Sequence, residues 1–277
     1  MQPKQCIAII DSIKAYAKQN PTEAQVYEDW FQSVVNLRDA LPQDKRFDAY
    51  KYSGELRSVC AAMMGKMKTG EDVAKVYDII GRTYLFEAKD VFDSYCIYLE
   101  WNRAPEKKFY QPRRKVLRTV ANALQDLADD RLDLLAISMP PGCGKTALAI
   151  FYLTWLAGRN PDEPMLTGSH SNSFVRGVYD ECLRIFDKDG EYLWNDVFPD
   201  VTVSNTNAKD CRIDLGKRKR FETLEFTSIG TGNAGLYRAS TLLYCDDLVS
   251  GIEVALSKPR LDKLWETYTT DLRQRKI

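Results

Sequence analysis

The stretch Leu134-Leu135-Ala136-Ile137-Ser138-Met139-Pro140-Pro141-Gly142-Cys143-Gly144-Lys145-Thr146 decides how this chain is read. Its first four residues form an unbroken apolar run, the pattern of a strand buried on both faces of a parallel sheet. From Thr146 to Leu156 the sequence is apolar nearly all round and stops at Gly158 with Arg159 beside it, which predicts a buried central helix. Between the two lies a turn with glycines at 142 and 144, where backbone amides can approach a ligand closely. The following helix adds the positive end of its dipole, Lys145 a point charge for β- and γ-phosphate oxygens, and Thr146 a hydroxyl for magnesium. Strand, turn and helix in this order predict a phosphate-binding site.

Working outward, Pro164-Met165-Leu166-Thr167-Gly168 predicts a second strand, and Phe174, Val178, Leu183, Ile185 and Phe186 mark the apolar face of a helix after it. Residues 201–229 alternate in short segments around the basic turn Lys217-Arg218-Lys219-Arg220, which predicts a hairpin before a core strand at Thr241 to Cys245. That turn is read either as a solvated hairpin tip or as a surface for DNA or a neighbouring subunit. Leu261, Leu264, Trp265, Tyr268 and Leu272 recur at helical spacing near the end.

Upstream the periodicity is helical throughout. Ile9, Ile10, Ile13 and Tyr16 mark one helix, and Trp30, Val34, Val35 and Leu41 a second after Pro21-Thr22. Two more follow over residues 46–68 and 71–103, with Thr69 as an expected N-cap. Gly65-Lys66-Met67-Lys68-Thr69-Gly70 has no buried strand before it and is read as a helix end. The expected division is a small all-α domain over 1–105 and a larger α/β domain over 106–277.

At 277 residues and 44% hydrophobic content, both domains can fill a core. Thirty-nine basic residues balance thirty-nine acidic ones, so any contact with nucleic acid has to be local. Seven cysteines are scattered singly, which points to a reducing compartment rather than a disulfide framework. His170 is the single histidine, which excludes a histidine-built metal cluster. No segment approaches the roughly 18 apolar residues of a membrane span.

Leu242-Leu243-Tyr244-Cys245-Asp246-Asp247 is an apolar strand ending in two acids, about a hundred residues after the phosphate turn. Alone, such a pair also serves as a turn or cap. After a phosphate loop it resembles the Walker B element of P-loop ATPases, with Asp246 toward magnesium and Asp247 accepting a proton from, or orienting, the attacking water. The resemblance implies an ASCE-type P-loop NTPase: a mostly parallel α/β sheet flanked by helices, behind the all-α N-terminal domain. ATP and Mg2+ are the implied cofactors, with residues 141–146 (Pro141, Gly142, Cys143, Gly144, Lys145, Thr146) on the nucleotide. Met139 stands where the strict Walker A pattern has its first glycine.

Three further segments are similar to those of viral terminase large subunits, over residues 108–277. Phe109-Tyr110-Gln111-Pro112-Arg113-Arg114 resembles the adenine motif, with Gln111 pairing the adenine edge or simply starting a helix. Thr167-Gly168-Ser169-His170-Ser171-Asn172 resembles a segment placed near DNA, with Ser171 or Asn172 equally read as an N-cap. Ser228 to Ser240 resembles the glycine-rich stretch ahead of Walker B, in which Arg238 is either an arginine finger for a neighbouring subunit or a structural salt bridge. The phosphate loop lacks the arginine many terminases carry there, and Asp247 stands where relatives have glutamate. The resemblance implies an ATPase motor that moves double-stranded DNA, works as a ring of copies in the host cytoplasm, and meets the small terminase subunit and the portal. It implies a fragment or split gene product that stops before any nuclease domain. Other classes stay open: a helicase-like or AAA-type remodelling ATPase, and a nucleotide-gated assembly module with little turnover.

Overall fold

In the computed structural model, residues 1–230 and 238–276 are described. The chain divides into two compact units, Met1–Asp90 and Val91–Ile277.

The first unit contains α1 (Pro3–Gln19), α2 (Ala24–Ala40), α3 (Asp48–Met63) and α4 (Gly70–Ala88). Each buries one stripe, with Ile10, Tyr27, Val34, Leu37, Leu56 and Ile79 essentially inaccessible. The Thr69 hydroxyl accepts the Asp72 amide at 3.1 Å and starts α4, as an N-cap does. Buried Glu87 is held by the Arg57 guanidinium at 3.1 Å and by the Ser53 hydroxyl.

The second unit begins with α5 (Phe92–Leu99) and α6 (Tyr110–Ala128), followed by α7 (Lys145–Arg159). Helix α7 is the buried centre that its composition predicts: Leu153, Trp155 and Ala157 are fully buried. Its Thr154 hydroxyl shares a hydrogen bond with Tyr95 at 2.8 Å, and its carbonyl accepts the Trp194 indole N–H at 3.0 Å. After α7 come β1 (Met165–Ser169), α8 (Asn172–Phe186), the single turn α9 (Trp194–Val197), β2 (Val203–Asn207), β3 (Arg212–Leu215), β4 (Leu224–Ser228) and β5 (Leu242–Cys245). Short α10 (Ile252–Ala255) and α11 (Lys258–Thr267) close the unit, and α11 runs on through a π turn, Tyr268–Leu272.

The sheet corrects the expected fold class. Its order is β2-β3-β4-β1-β5; β1 pairs parallel with β4 and β5, while β2–β3 and β3–β4 are antiparallel. This single mixed sheet in a helix-rich chain is not the mostly parallel P-loop NTPase sheet behind an all-α domain. The cause lies in the connections. A parallel return needs a crossover of a dozen or more residues, and the short links 208–211 and 216–223 allow only antiparallel returns. The expected first strand is also absent, since residues 133–140 carry no regular structure and Leu134 is 78% exposed. An apolar run becomes a strand only where its amides and carbonyls find a neighbouring ladder.

The basic turn joins β3 to β4, and Lys219 points inward from it. Its ammonium lies 3.2 Å from the Asp214 carboxylate and donates to the Thr223 hydroxyl at 2.9 Å, leaving Lys217, Arg218 and Arg220 in solvent. All seven cysteines are free thiols. Among the described residues, no helix is long and apolar enough to cross a membrane.

Candidate functional site

The site is built where β5 ends and α7 begins. Gly142 and Gly144 have φ of +80° and +91°, the left-handed region that side chains disfavour. Gly144 is the N-cap of α7, and its carbonyl accepts the Leu148 amide at 3.0 Å. A Cβ on Gly144 would meet the Phe109 ring at 2.3 Å, so the aromatic edge rests directly on the loop.

Two adjacent side chains then converge on one acid. The Thr146 hydroxyl donates to Asp246 Oδ2 at 3.0 Å, and Lys145 Nζ lies 3.2 Å from Asp246 Oδ1. The Tyr244 phenol also donates to Oδ2, at 2.8 Å. Asp246 is only 6% exposed, and these three groups offset the cost of burying its charge. Burial first, and then the Asp246 charge, push the Tyr244 phenol well above its ordinary range.

Asp247 turns away from this cluster. It adopts φ +49°, its side chain is 61% exposed, and its carboxylate lies 3.7 Å from the His170 ring. The Asp247 carbonyl accepts the His170 amide at 3.2 Å, which clips His170 to Asp247. The Ser171 hydroxyl accepts the Phe174 amide at 3.4 Å and caps α8, and Asn172 Oδ1 accepts the Ser228 hydroxyl at 2.7 Å.

Gln111 is exposed on the first turn of α6; its neighbour Phe109 is the residue that reaches the loop. Pro141 is exposed and Cys143 half-buried. Arg238 is exposed and precedes β5, which carries Asp246 at its other end. Arg238 lies four residues before the start of β5, and Asp246 directly follows its end. The glycine-rich segment ahead of it falls, over residues 231–237, outside the described residues.

Three residues outside the predicted set shape the site: Phe109, Tyr244 and Glu100. The Glu100 carboxylate, 1% exposed, accepts the amides of Phe109 at 2.9 Å and Tyr110 at 2.8 Å. It thereby fixes the start of α6 and the ring over Gly144. Tyr244 was visible inside an apolar strand, where alternation puts it on the Asp246 face. The Arg103 guanidinium also donates to Glu100 at 2.9 Å, a local i,i+3 pair that does not foretell the contacts nine and ten residues on.

As a metal site, Thr146 and Asp246 supply the hard oxygen donors that suit magnesium. Among the described residues, no group of three or more His, Cys, Asp or Glu side chains is placed to enclose a metal ion. Comparison with protein families, curated proteins and solved structures brings no match to this chain.

Proposed function

We propose that residues 140–146 hold the phosphates of ATP with Mg2+ and that the chain is an ATP hydrolase. We further propose that it is the ATPase part of a terminase-like motor acting on double-stranded DNA as a ring of copies in the host cytoplasm. The reading is carried by one observation: Lys145 and Thr146, on the first turn of α7, both engage Asp246 at the end of β5. It does not rest on the sheet, whose mixed order gives it no help.

In this reading the left-handed glycines leave the loop amides free to face phosphate oxygens, and Lys145 swings its ammonium from Asp246 to the phosphates. Thr146 and Asp246 would hold Mg2+, which when bound neutralises phosphate charge. Asp247 is half-free at the edge, where it can accept a proton from water once turned from His170. Arg238 would serve a neighbouring subunit, consistent with its exposure. The motor assignment rests on the resemblance of the segments quoted above. DNA-stimulated phosphate release is its test, and turnover indifferent to double-stranded DNA speaks for the assembly-module reading.

The nucleotide assignment is tested with Lys145→Ala. Binding of a fluorescent ATP analogue should weaken by about 100-fold or more, because a charge-assisted phosphate contact is lost, and phosphate release should vanish. Unchanged binding by a folded Lys145→Ala protein would overturn the assignment.

A further inference from the structure

The carboxyl end of β1 carries a buried hydroxyl that nothing in the nucleotide reading has used. Ser169 is fully buried, yet its Oγ has no hydrogen-bond partner among the described residues. A hydroxyl enclosed without a partner costs stability, so its presence asks for a compensating use.

Its position supplies one. Leu166 and Gly168 face Leu272, whose side chain a Cβ on Gly168 would meet at 2.7 Å. Alternation therefore puts Thr167 and Ser169 on the opposite face of the sheet. The parallel register sets Thr167 beside Tyr244 and Gly168 beside Cys245, and the Asp246 amide donates to the Gly168 carbonyl at 3.0 Å. Ser169 thus stands level with Asp246, on the face where Thr146 and Lys145 meet that acid. Thr167, also buried with no hydrogen-bond partner among the described residues, lies one pleat deeper, paired in register with Tyr244.

Asp246 is fully engaged as it stands, by Lys145, Thr146 and Tyr244. Nucleotide and magnesium would draw Lys145 to phosphate and Thr146 to the metal, which removes two of those three partners. Of the two uncommitted hydroxyls on that face among the described residues, Ser169 is the one level with Asp246.

We propose that Ser169 is a positioning residue for the magnesium shell: its hydroxyl takes up a hydrogen bond with Asp246 or a metal-bound water when the loop is loaded. The inference rests on the nucleotide reading above. Groups that hold a metal ligand from behind commonly change metal affinity by roughly 10–100-fold when removed.

The test is Ser169→Ala beside Ser169→Thr, read by Mg2+ titration of the binding of a fluorescent ATP analogue. Ser169→Ala should need roughly tenfold more Mg2+ for half-maximal binding and should slow turnover, while binding measured in EDTA stays at the parent value. Ser169→Thr, which keeps the hydroxyl, should restore the Mg2+ dependence. The thermal midpoint of Ser169→Ala should equal or exceed that of the parent, since an unpartnered hydroxyl is removed; a purely structural serine would lower it. Superimposable Mg2+ titrations for parent and Ser169→Ala, with the parent binding nucleotide normally, overturn the role of Ser169 alone. A parent that binds no nucleotide at any Mg2+ concentration overturns the site reading and this inference with it.

Discussion

Replacing Glu225 by glutamine should stabilise the second unit, and the gain should grow with pH. Glu225 lies in the middle strands of the sheet, level with Leu166 on one side and Arg212 on the other, and is fully buried. Burial, and then its neighbour Glu222, push its carboxyl from 4.5 to about 8, against a smaller opposing pull from Arg212. The folded chain therefore prefers the protonated acid. Stability is fully present below the unfolded value near 4.5 and is lost as pH rises toward 8, because the unfolded chain ionises first. Each pH unit in that window is worth about 1.4 kcal/mol, so the cost at about pH 7 is on the order of 3 kcal/mol. Glu225→Gln cannot ionise and escapes it. Urea unfolding of parent and Glu225→Gln at about pH 5 and about pH 8 should show a stability gap that widens by about 3–4 kcal/mol across that range. A gap that stays constant, or one that favours the parent at the higher pH, would mean that Glu225 is ionised in the folded chain and that the burial argument fails.

Gly144→Ala combines a left-handed backbone, costing roughly 1–2 kcal/mol for a side chain, with a Cβ set 2.3 Å from the Phe109 ring. It should lower the thermal midpoint and weaken ATP-analogue binding together, and the added Phe109→Ala should recover the steric part only. Glu100→Gln turns an amide donor toward backbone donors at Phe109 and Tyr110. A loss of about 2–3 kcal/mol in unfolding free energy follows from a buried acceptor replaced by a donor, along with weaker nucleotide binding as the ring loosens from the loop.

Elements that depend on local pattern were legible in the sequence. The apolar stretch after the phosphate turn is a helix over Lys145–Arg159, Thr69 caps α4, and strands occur at Met165–Ser169 and Leu242–Cys245. Pairing direction was not legible. Residues 134–137 have the composition of a buried strand and no ladder to join, whereas β4 carries Glu225 and two hydroxyls in its five residues and still lies wholly buried. A strand is defined by its neighbours as much as by its own side chains. At the site, residues tied to backbone geometry were readable: Gly142 and Gly144 do take positive φ. The facing of Asp247 was not, since two consecutive acids give no sign of which one leaves the sheet with φ +49° and meets His170. Glu100 and Ser169 matter through partners distant in sequence, or through the lack of one, and neither condition leaves a mark on the chain.

The Lys145–Asp246 pair gives the turn at residues 140–146 a structural task beside the proposed phosphate binding. A carboxylate 6% exposed needs compensation at all times, and without ligand that compensation is the Lys145 ammonium and two hydroxyls. The lysine that would grip phosphate is the same one that neutralises the acid, so ligand and acid compete for one cation. Nucleotide without a divalent ion would leave Asp246 short of positive charge; nucleotide with one replaces the ammonium by a metal. Binding of ATP and of Mg2+ should then be mutually strengthening, for a reason that lies in the burial of Asp246 rather than in the nucleotide's own affinity for the metal. Lys145→Ala accordingly removes two things at once, the proposed phosphate contact and the partner of a buried acid. Its loss of binding carries the meaning assigned to it above only when the variant's melting and spectra show that the β5–α7 junction has survived.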